Sequence, residues 1–300
     1  MKASNDIGLE YDKKLDKFWL KVYRPLSVCW QITRRCNLNC SFCISNSKPD
    51  VNLNEMTTKD CLRVIKKLSE AGIKRIDLTG GEPLLRKDIF QLAKYAKDQG
   101  LATVVTSNGT LSPEIYLKLS KNCSFFQISL DGVKKVHETL RGKGNFQKTL
   151  NTIYLLKEEK IPFRINTIIH KKNARSMDNF LKLINKIEVK DIQFIFFAPQ
   201  GRGFLNRKIF ELKEDEKLKI KEKLIKGAQK FGINIKFHDY KINFHSCLLI
   251  TPDGKVISQG YSEDECIIVG NILKHSIKEI WNSGSFNHLR HFLQYMRINY

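Results

Sequence analysis

From Ser27 onward the chain alternates between two textures. Short runs rich in Val, Ile, Phe and Thr, namely SVCWQIT, RIDLTG, ATVVTSNG, FFQISLDG, FRINTII and IQFIFFAP, have the length and branching of β-strands. Between them the apolar residues spread out to helical spacing. In TTKDCLRVIKKLSEAG, Thr57 and Asp60 form a capping-box-like pair, Leu62, Ile65, Leu68 and Ala71 recur near the helical period, and Gly72 ends the run. DIFQLAKYAKDQG repeats the plan and stops at Gly100, while SPEIYLKL offers Ser112 as N-cap and Pro113 at the first helical position. Strands alternating with helices predict parallel βαβ units, closed into a barrel or laid out as a doubly wound sheet. In both arrangements ligands gather at the carboxyl ends of the strands.

The flanks read differently. Residues 1–25 look like a lysine-rich extension with an amphipathic piece around Leu15 to Val22. Beyond residue 232 the runs INIKFH, SCLLITPDGKVIS and CIIVGNI predict short strands around a PDG turn, and SIKEIWNSGSFNHLRHFLQYM predicts terminal helices. The expected division is therefore 1–25, 26–232 and 233–300.

Composition narrows the class. Three hundred residues with 42% hydrophobic content bury a sizeable core. No apolar run approaches the roughly 20 residues of a membrane span, and the first residues lack the apolar segment of a secretory signal, so a cytoplasmic protein without membrane contact is expected. The formal charge of +21 raises the question of an anionic partner. Its lysines are spread among acids, as in KEDEKLKIKEKLIK, which is the pattern of a solvated surface. With no basic stripe carrying interleaved aromatics, nucleic acid is not expected.

Eight cysteines in such a chain suggest metal ligands, catalytic groups or buried small hydrophobes before disulfides. Cys29, Cys61 and Cys123 fall in strand or helix patterns and read as packing residues. Cys36, Cys40 and Cys43 instead crowd into the loop CNLNCSFC directly after the first strand, among the polar neighbours Asn37, Asn39 and Ser41. Thiolates hold iron-sulfur clusters, and a cubane has four irons to ligate. Three protein thiolates would leave one iron open to an outside ligand. A structural zinc site would call for a second cysteine or histidine pair at the usual distance, and none follows.

The pattern C36-x3-C40-x-F42-C43 after a first strand resembles the signature of radical S-adenosylmethionine (SAM) enzymes. Gly80-Gly81-Glu82-Pro83 after the second strand is similar to that family's GGEP segment. The resemblance implies a partial (β/α)6 TIM-type barrel with a small α+β C-terminal extension, a [4Fe-4S] cluster on Cys36, Cys40 and Cys43, and SAM chelated by the open iron. It further implies SAM contacts from Phe42, from Gly80, Gly81, Glu82 and Pro83, and from Asn108, Ser129, Asp131, Arg141 and Asn166 at the following strand ends. APQGRG, at the end of the sixth strand, looks like a P-x-GRG segment seen in members with a C-terminal extension. The activity implied is reductive cleavage of SAM to a 5′-deoxyadenosyl radical and abstraction of a substrate hydrogen atom, with an electron donor such as flavodoxin or ferredoxin.

The tail, with Cys247, Asp253, Gly254, Gly270, Asn271, Ile272, Cys266 and Trp281, resembles the SPASM and Twitch extensions of these enzymes. It departs from them in carrying Gln259 where a cysteine is common, and it has no cysteine after Cys266. Three outcomes follow from that departure: a degenerate extension, a second iron-sulfur cluster on Cys247 and Cys266 complemented by His238, His245 or Asp264, or one of these thiols acting as a hydrogen donor. Relatives with such tails act mostly on peptides or proteins, and others on tetrapyrroles or carbohydrates; a ribosomally made peptide is the first expectation for the substrate, and a tetrapyrrole or carbohydrate-type molecule is the alternative. A non-catalytic iron-sulfur or zinc binding or scaffold protein is the rival from another class.

Overall fold

The computed structural model describes residues 7–12, 17–22, 25–50, 54–238, 247–257 and 267–284. It opens with an antiparallel hairpin of β1 (Ile7–Asp12) and β2 (Lys17–Val22), so the amphipathic piece near Leu15 to Val22 is mostly strand. The alternating section follows as β3 (Ser27–Thr33), α1 (Thr58–Glu70), β4 (Arg75–Gly80), α2 (Ile89–Asp98), β5 (Ala102–Ser107), α3 (Pro113–Ser120) and β6 (Phe125–Ser129). It continues through α4 (Lys134–Arg141), α5 (Asn145–Glu158), β7 (Phe163–Ile169), α6 (Met177–Lys186) and β8 (Asp191–Phe196). Two short helices, α7 (Arg202–Leu205) and α8 (Arg207–Phe210), precede the long α9 (Glu214–Phe231). The tail supplies β9 (Asn234–His238), β10 (Cys247–Ile250), β11 (Lys255–Ile257), β12 (Ile268–Asn271) and α10 (Ile277–Trp281).

Ten strands form one sheet in the order β12-β11-β10-β3-β4-β5-β6-β7-β8-β9. Every pair from β10 through β9 is parallel, and only the two pairs that β11 makes, with β10 and β12, are antiparallel. The order is open, which makes the six strands β3 to β8 a partial barrel rather than a closed one. Helix crossovers cover one face of the sheet, where Val28, Trp30, Ile76, Phe126, Ile128, Ile165 and Phe194 are all fully buried, while the other face carries polar residues such as Thr79, Thr106, Gln127, Ser129, Asn166 and Gln193.

Local signals behave as chemistry requires, with one exception. Thr57 and Asp60 form the full capping box of α1, which then buries Cys61, Val64, Ile65 and Leu68. Ser112 stands before α3 but makes no capping bond; its hydroxyl donates to Glu114. The expected boundary at residue 232 falls inside the sheet. β9 pairs with β8, β10 pairs with β3 at the other side, and Leu248, Ile250, Val256, Ile272 and Trp281 share the barrel's hydrophobic core. Lys67 of α1 donates to the Ile272 carbonyl at 2.6 Å, and Met56 N–H to the Pro252 carbonyl at 2.8 Å, pinning the tail to the first βα unit. The tail is therefore an extension of the barrel's sheet rather than a separate core.

Candidate functional site

The carboxyl ends of β4 to β8 and the loop after β3 surround an open cleft, which Cys36, Cys40, Phe42 and Cys43 line together with residues from each of those strand ends. The cysteine loop is held closed at its base, where Cys36 N–H donates to the Lys48 carbonyl at 3.2 Å, and is tightened within by Cys43 N–H to the Cys40 carbonyl at 3.2 Å. Cys36 Sγ accepts from Leu38 N–H at 3.4 Å and lies 3.9 Å from Asn108 Nδ2. Burial pushes the Cys36 thiol up to about 12 and also raises Cys40, against the lowering influence of the Arg141 charge. Thiolates here call for a bound cation to offset their cost. Among the described residues, no three His, Cys, Asp or Glu side chains converge on a single metal position. A lone zinc needs such convergence, whereas a cubane takes one thiolate per iron and its ligands stand apart.

The two glycines after β4 are required by a close approach. A Cβ on Gly80, whose φ is +116°, would lie 2.3 Å from the Thr33 carbonyl oxygen, and one on Gly81 would lie 2.1 Å from that of Arg35. Backbone bonds from Gly81 N–H to Thr33 and from Glu82 N–H to Arg35 lock β4's end against the cysteine loop. Both glycines still line the cleft, but Glu82 and Pro83 do not. Glu82 is fully buried behind the wall, where its carboxylate accepts from Asn108 N–H at 2.8 Å and Leu84 N–H at 3.4 Å. The Glu82 carboxyl thereby joins two strand ends behind the expected SAM site.

Asp131 also stands behind the wall. It is fully buried and outside the cleft lining, with one oxygen accepting from Ile168 N–H at 2.9 Å and the other from Arg141 Nε at 2.5 Å. Burial alone would raise its carboxyl, but the Arg141 guanidinium beside it holds it below the usual range. Arg141 itself lines the cleft, its guanidinium 5.4 Å from the Phe42 ring centre. Asn108, Ser129 and Asn166 line it as well. Asn166 donates to Gln127 at 2.5 Å, while its buried Oδ1 has no partner.

Sequence reasoning missed Thr79, Thr106 and Ser107, which stand beside expected residues on the same strand ends, and the wall formed by Ile168 and Phe197. The signal was present, since each neighbours a polar strand terminus already singled out. The GRG segment also packs on the cysteine loop, a role its sequence did not disclose.

The tail thiols differ. Cys247 starts β10 opposite Ser27, at the amino end of β3, so the length of a seven-residue strand, about 20 Å, separates it from the carboxyl-end cleft. Its Sγ donates to the Leu248 carbonyl at 3.3 Å, and burial pushes it up to about 11. The expectation that Cys247 acts as hydrogen donor in the cleft is corrected by that register. His238 ends β9, at the opposite edge and opposite end of the sheet from Cys247, so these two do not share a cluster site. Cys266, Gln259, His245 and Asp264 lie outside the described residues.

A sequence profile of the Radical SAM superfamily matches residues 30–231. The chain belongs to the radical SAM superfamily. A second profile, of the SPASM iron-sulfur cluster-binding domain, matches residues 243–299. The chain is similar to an AdoMet-dependent heme synthase of Methanosarcina barkeri, 31% identical over 299 residues that span 89% of this chain and 85% of that protein. It is also similar to a PqqA peptide cyclase of Bradyrhizobium diazoefficiens, 29% identical over 287 residues, 89% of this chain and 75% of that one. In fold it matches Streptococcus suis SuiB bound to S-adenosylmethionine, with a TM-score of 0.76 at 15% identity over 91% of this chain and 69% of SuiB, a protein also solved with its precursor peptide SuiA.

As a radical SAM enzyme the protein uses a [4Fe-4S] cluster and SAM. The cleft fits them: three thiols, an unpartnered amide oxygen on Asn166, a buried guanidinium and two glycine positions with no room for a side chain face one space.

Proposed function

We propose that Cys36, Cys40 and Cys43 hold the cluster and that SAM lies across the strand ends, with a hydrogen atom then taken from a ribosomally made peptide. The observation that carries this reading is the meeting of the three thiols with polar ends from β4 to β7 in one cleft. Bound there, the cluster would supply the one-electron reduction that splits SAM into methionine and a 5′-deoxyadenosyl radical able to take a hydrogen atom. The chain's own work is orientation. The backbone at Gly80 and Gly81 meets the methionine end of SAM, Arg141 meets its carboxylate, and Ser129 with Asn108 and Asn166 meets the ribose. Asp131 and Glu82 hold those groups from behind. Ile168 and Phe197 keep water from the reacting end.

The peptide reading is supported by the PqqA peptide cyclase relative. Four exposed cations, Lys171, Lys172, Arg207 and Lys208, lie on two segments joined by the bond from Lys171 N–H to the Phe210 carbonyl; they suit a substrate that carries carboxylates. A second reading, a tetrapyrrole, is favoured by the heme synthase relative and is compatible with the same cations. An external one-electron carrier such as flavodoxin or ferredoxin completes the reaction. Among the described residues no helix is long and apolar enough to cross a membrane.

The test is anaerobic reconstitution. The expected result is a reduced-cluster EPR signal that shifts with SAM and 5′-deoxyadenosine formed under dithionite; absence of both defeats the reading. Offering a panel of acidic precursor peptides and iron coproporphyrins then assigns the substrate by the mass change of whichever is consumed.

A further inference from the structure

The Gly201-Arg202-Gly203 segment lies far along the chain from the cysteine loop and yet is bonded to it at nearly every turn. Arg202 Nε donates to the Cys40 carbonyl at 3.0 Å, one terminal nitrogen to Asn46 Oδ1 at 3.2 Å and the other to the Ser47 carbonyl at 2.5 Å. Its backbone N–H donates to the Cys43 carbonyl at 3.0 Å, and Asn206 Nδ2 donates to the Ser41 carbonyl at 3.0 Å. The approach is tight enough to require glycine: Gly201 has φ +54°, and a Cβ there would lie 2.5 Å from the Ile44 oxygen and 2.6 Å from the Cys43 oxygen.

These bonds share a feature. Every acceptor belongs to residues 40–47, the part of the loop that carries two of the three thiols, and most are backbone carbonyls with no strand to pair with. Ordering a backbone residue costs about 1–2 kcal/mol, so an unrestrained loop of this length would spend much of the cluster's binding energy on its own ordering. A guanidinium reaches acceptors in several directions from one rigid plane, which a lysine ammonium on a flexible stem does not reproduce.

The geometry points to Arg202, with Gly201 and Asn206, as a clamp that fixes the cysteine loop in its cluster-binding shape; Arg202 is then a positioning residue for the cluster. This rests on the reading that Cys36, Cys40 and Cys43 hold it. Because the bonds run to the loop and not to the core, loss of the clamp loosens residues 40–47 while leaving the barrel folded.

The experiment compares Arg202→Ala, Arg202→Lys, Gly201→Ala and Asn206→Ala with wild type in the full chain. Three quantities are read: amide exchange of residues 40–47 in the cluster-free protein, iron release from the reconstituted protein to an iron(II) chelator, and the EPR spectrum of the reduced cluster with SAM. Arg202→Ala and Gly201→Ala, one removing donors and the other adding bulk, should both release iron about tenfold faster or more, the size of effect common for residues that orient metal ligands. Both should also speed exchange in the loop alone and give a broadened or divided EPR signal. Arg202→Lys should restore little, and Asn206→Ala should move all three readouts a shorter way in the same direction. Wild-type iron release and EPR in folded Arg202→Ala and Gly201→Ala overturn the clamp; if Arg202→Ala fails to fold, wild-type behaviour of Gly201→Ala and Asn206→Ala does so. Wild-type protein that takes up no iron overturns instead the reading beneath it, and the clamp's role with it.

Discussion

Cysteines at the two ends of β3 share a residue type and almost nothing else. Cys36, Cys40 and Cys43 follow the carboxyl end, in a loop stitched to β4, to Asn108 and to the segment after β8, with their thiols along an open cleft. Cys247 sits beside the amino end in the ladder of β10, bonded to its neighbour's carbonyl. Burial raises Cys36, Cys40 and Cys247 alike, so titration does not tell the groups apart. Company does: three thiols facing one space can divide a cluster among them, whereas Cys247 stands in the ladder beside Cys29, away from the cleft. Serine at Cys36, Cys40 or Cys43 should therefore abolish iron uptake by the primary site and all 5′-deoxyadenosine formation. Cys247→Ser should leave SAM cleavage within about twofold of wild type, the range of a substitution remote from the chemistry. Iron analysis and product chromatography on the four variants decide it, and loss of SAM cleavage in Cys247→Ser would erase the contrast.

The same contrast recurs across the cleft wall, between polar groups that face the space and those that stand behind it. Arg141 faces it, and Asp131 behind it is fully buried with Arg141 as its countercharge. Arg141→Gln leaves that carboxylate unpaired in the interior, which should cost about 3–5 kcal/mol of stability as well as SAM affinity. Adding Asp131→Asn should recover part of the stability and none of the SAM affinity. Urea midpoints and SAM titrations measured together separate the two; recovery of both by the double variant would mean that Arg141 acts on SAM only through structure. Removing Asn166's amide with Asn166→Ala is a smaller change, expected to weaken SAM binding by about tenfold, near 1.4 kcal/mol, as for one hydrogen bond to a bound ligand.

What the sequence disclosed follows the same division. The alternation of strands and helices, the cysteine loop and the polar strand ends were legible because each rests on local spacing: period, capping and motif. Which polar residues face the cleft was not, because adjacent strand ends offer several candidates and only packing selects among them. Glu82 and Asp131 looked like ligand contacts from their residue type, yet each is occupied by backbone N–H groups brought from a neighbouring strand, a pairing that depends on sheet register. Arg202 was visible as part of a motif, but its partners at residues 40–47 lie across the whole barrel in sequence. The merging of the tail into the sheet was hidden for the same reason, since β10 pairs with a strand more than two hundred residues earlier.

The groups behind the wall give the finest test of the comparison, because they titrate in opposite senses. Burial raises Glu82 to about 7, against the bonds it accepts from Asn108 and Leu84, so the folded protein holds a proton that the unfolded chain has lost. Its contribution is present in full below the ordinary glutamate value, near 4.5, and is lost as pH rises through about 7, a total of about 3 kcal/mol. Burial instead lowers His137 and His170 to about 4 each. Their contribution is present above the ordinary histidine value of 6.5 and is lost as pH falls through about 4. Between roughly pH 5 and 6.5 the two histidines make stability rise with pH while Glu82 offsets part of that rise. Glu82→Gln keeps an acceptor for Asn108 N–H and removes the offset. The unfolding free energy of the cluster-free variant should then climb more steeply than wild type across that window, by about 1.4 kcal/mol per pH unit. Parallel curves from urea unfolding at a series of pH values would show that Glu82 is ionised in the folded state, and that the carboxylate behind the wall is less sheltered than its fully buried position requires.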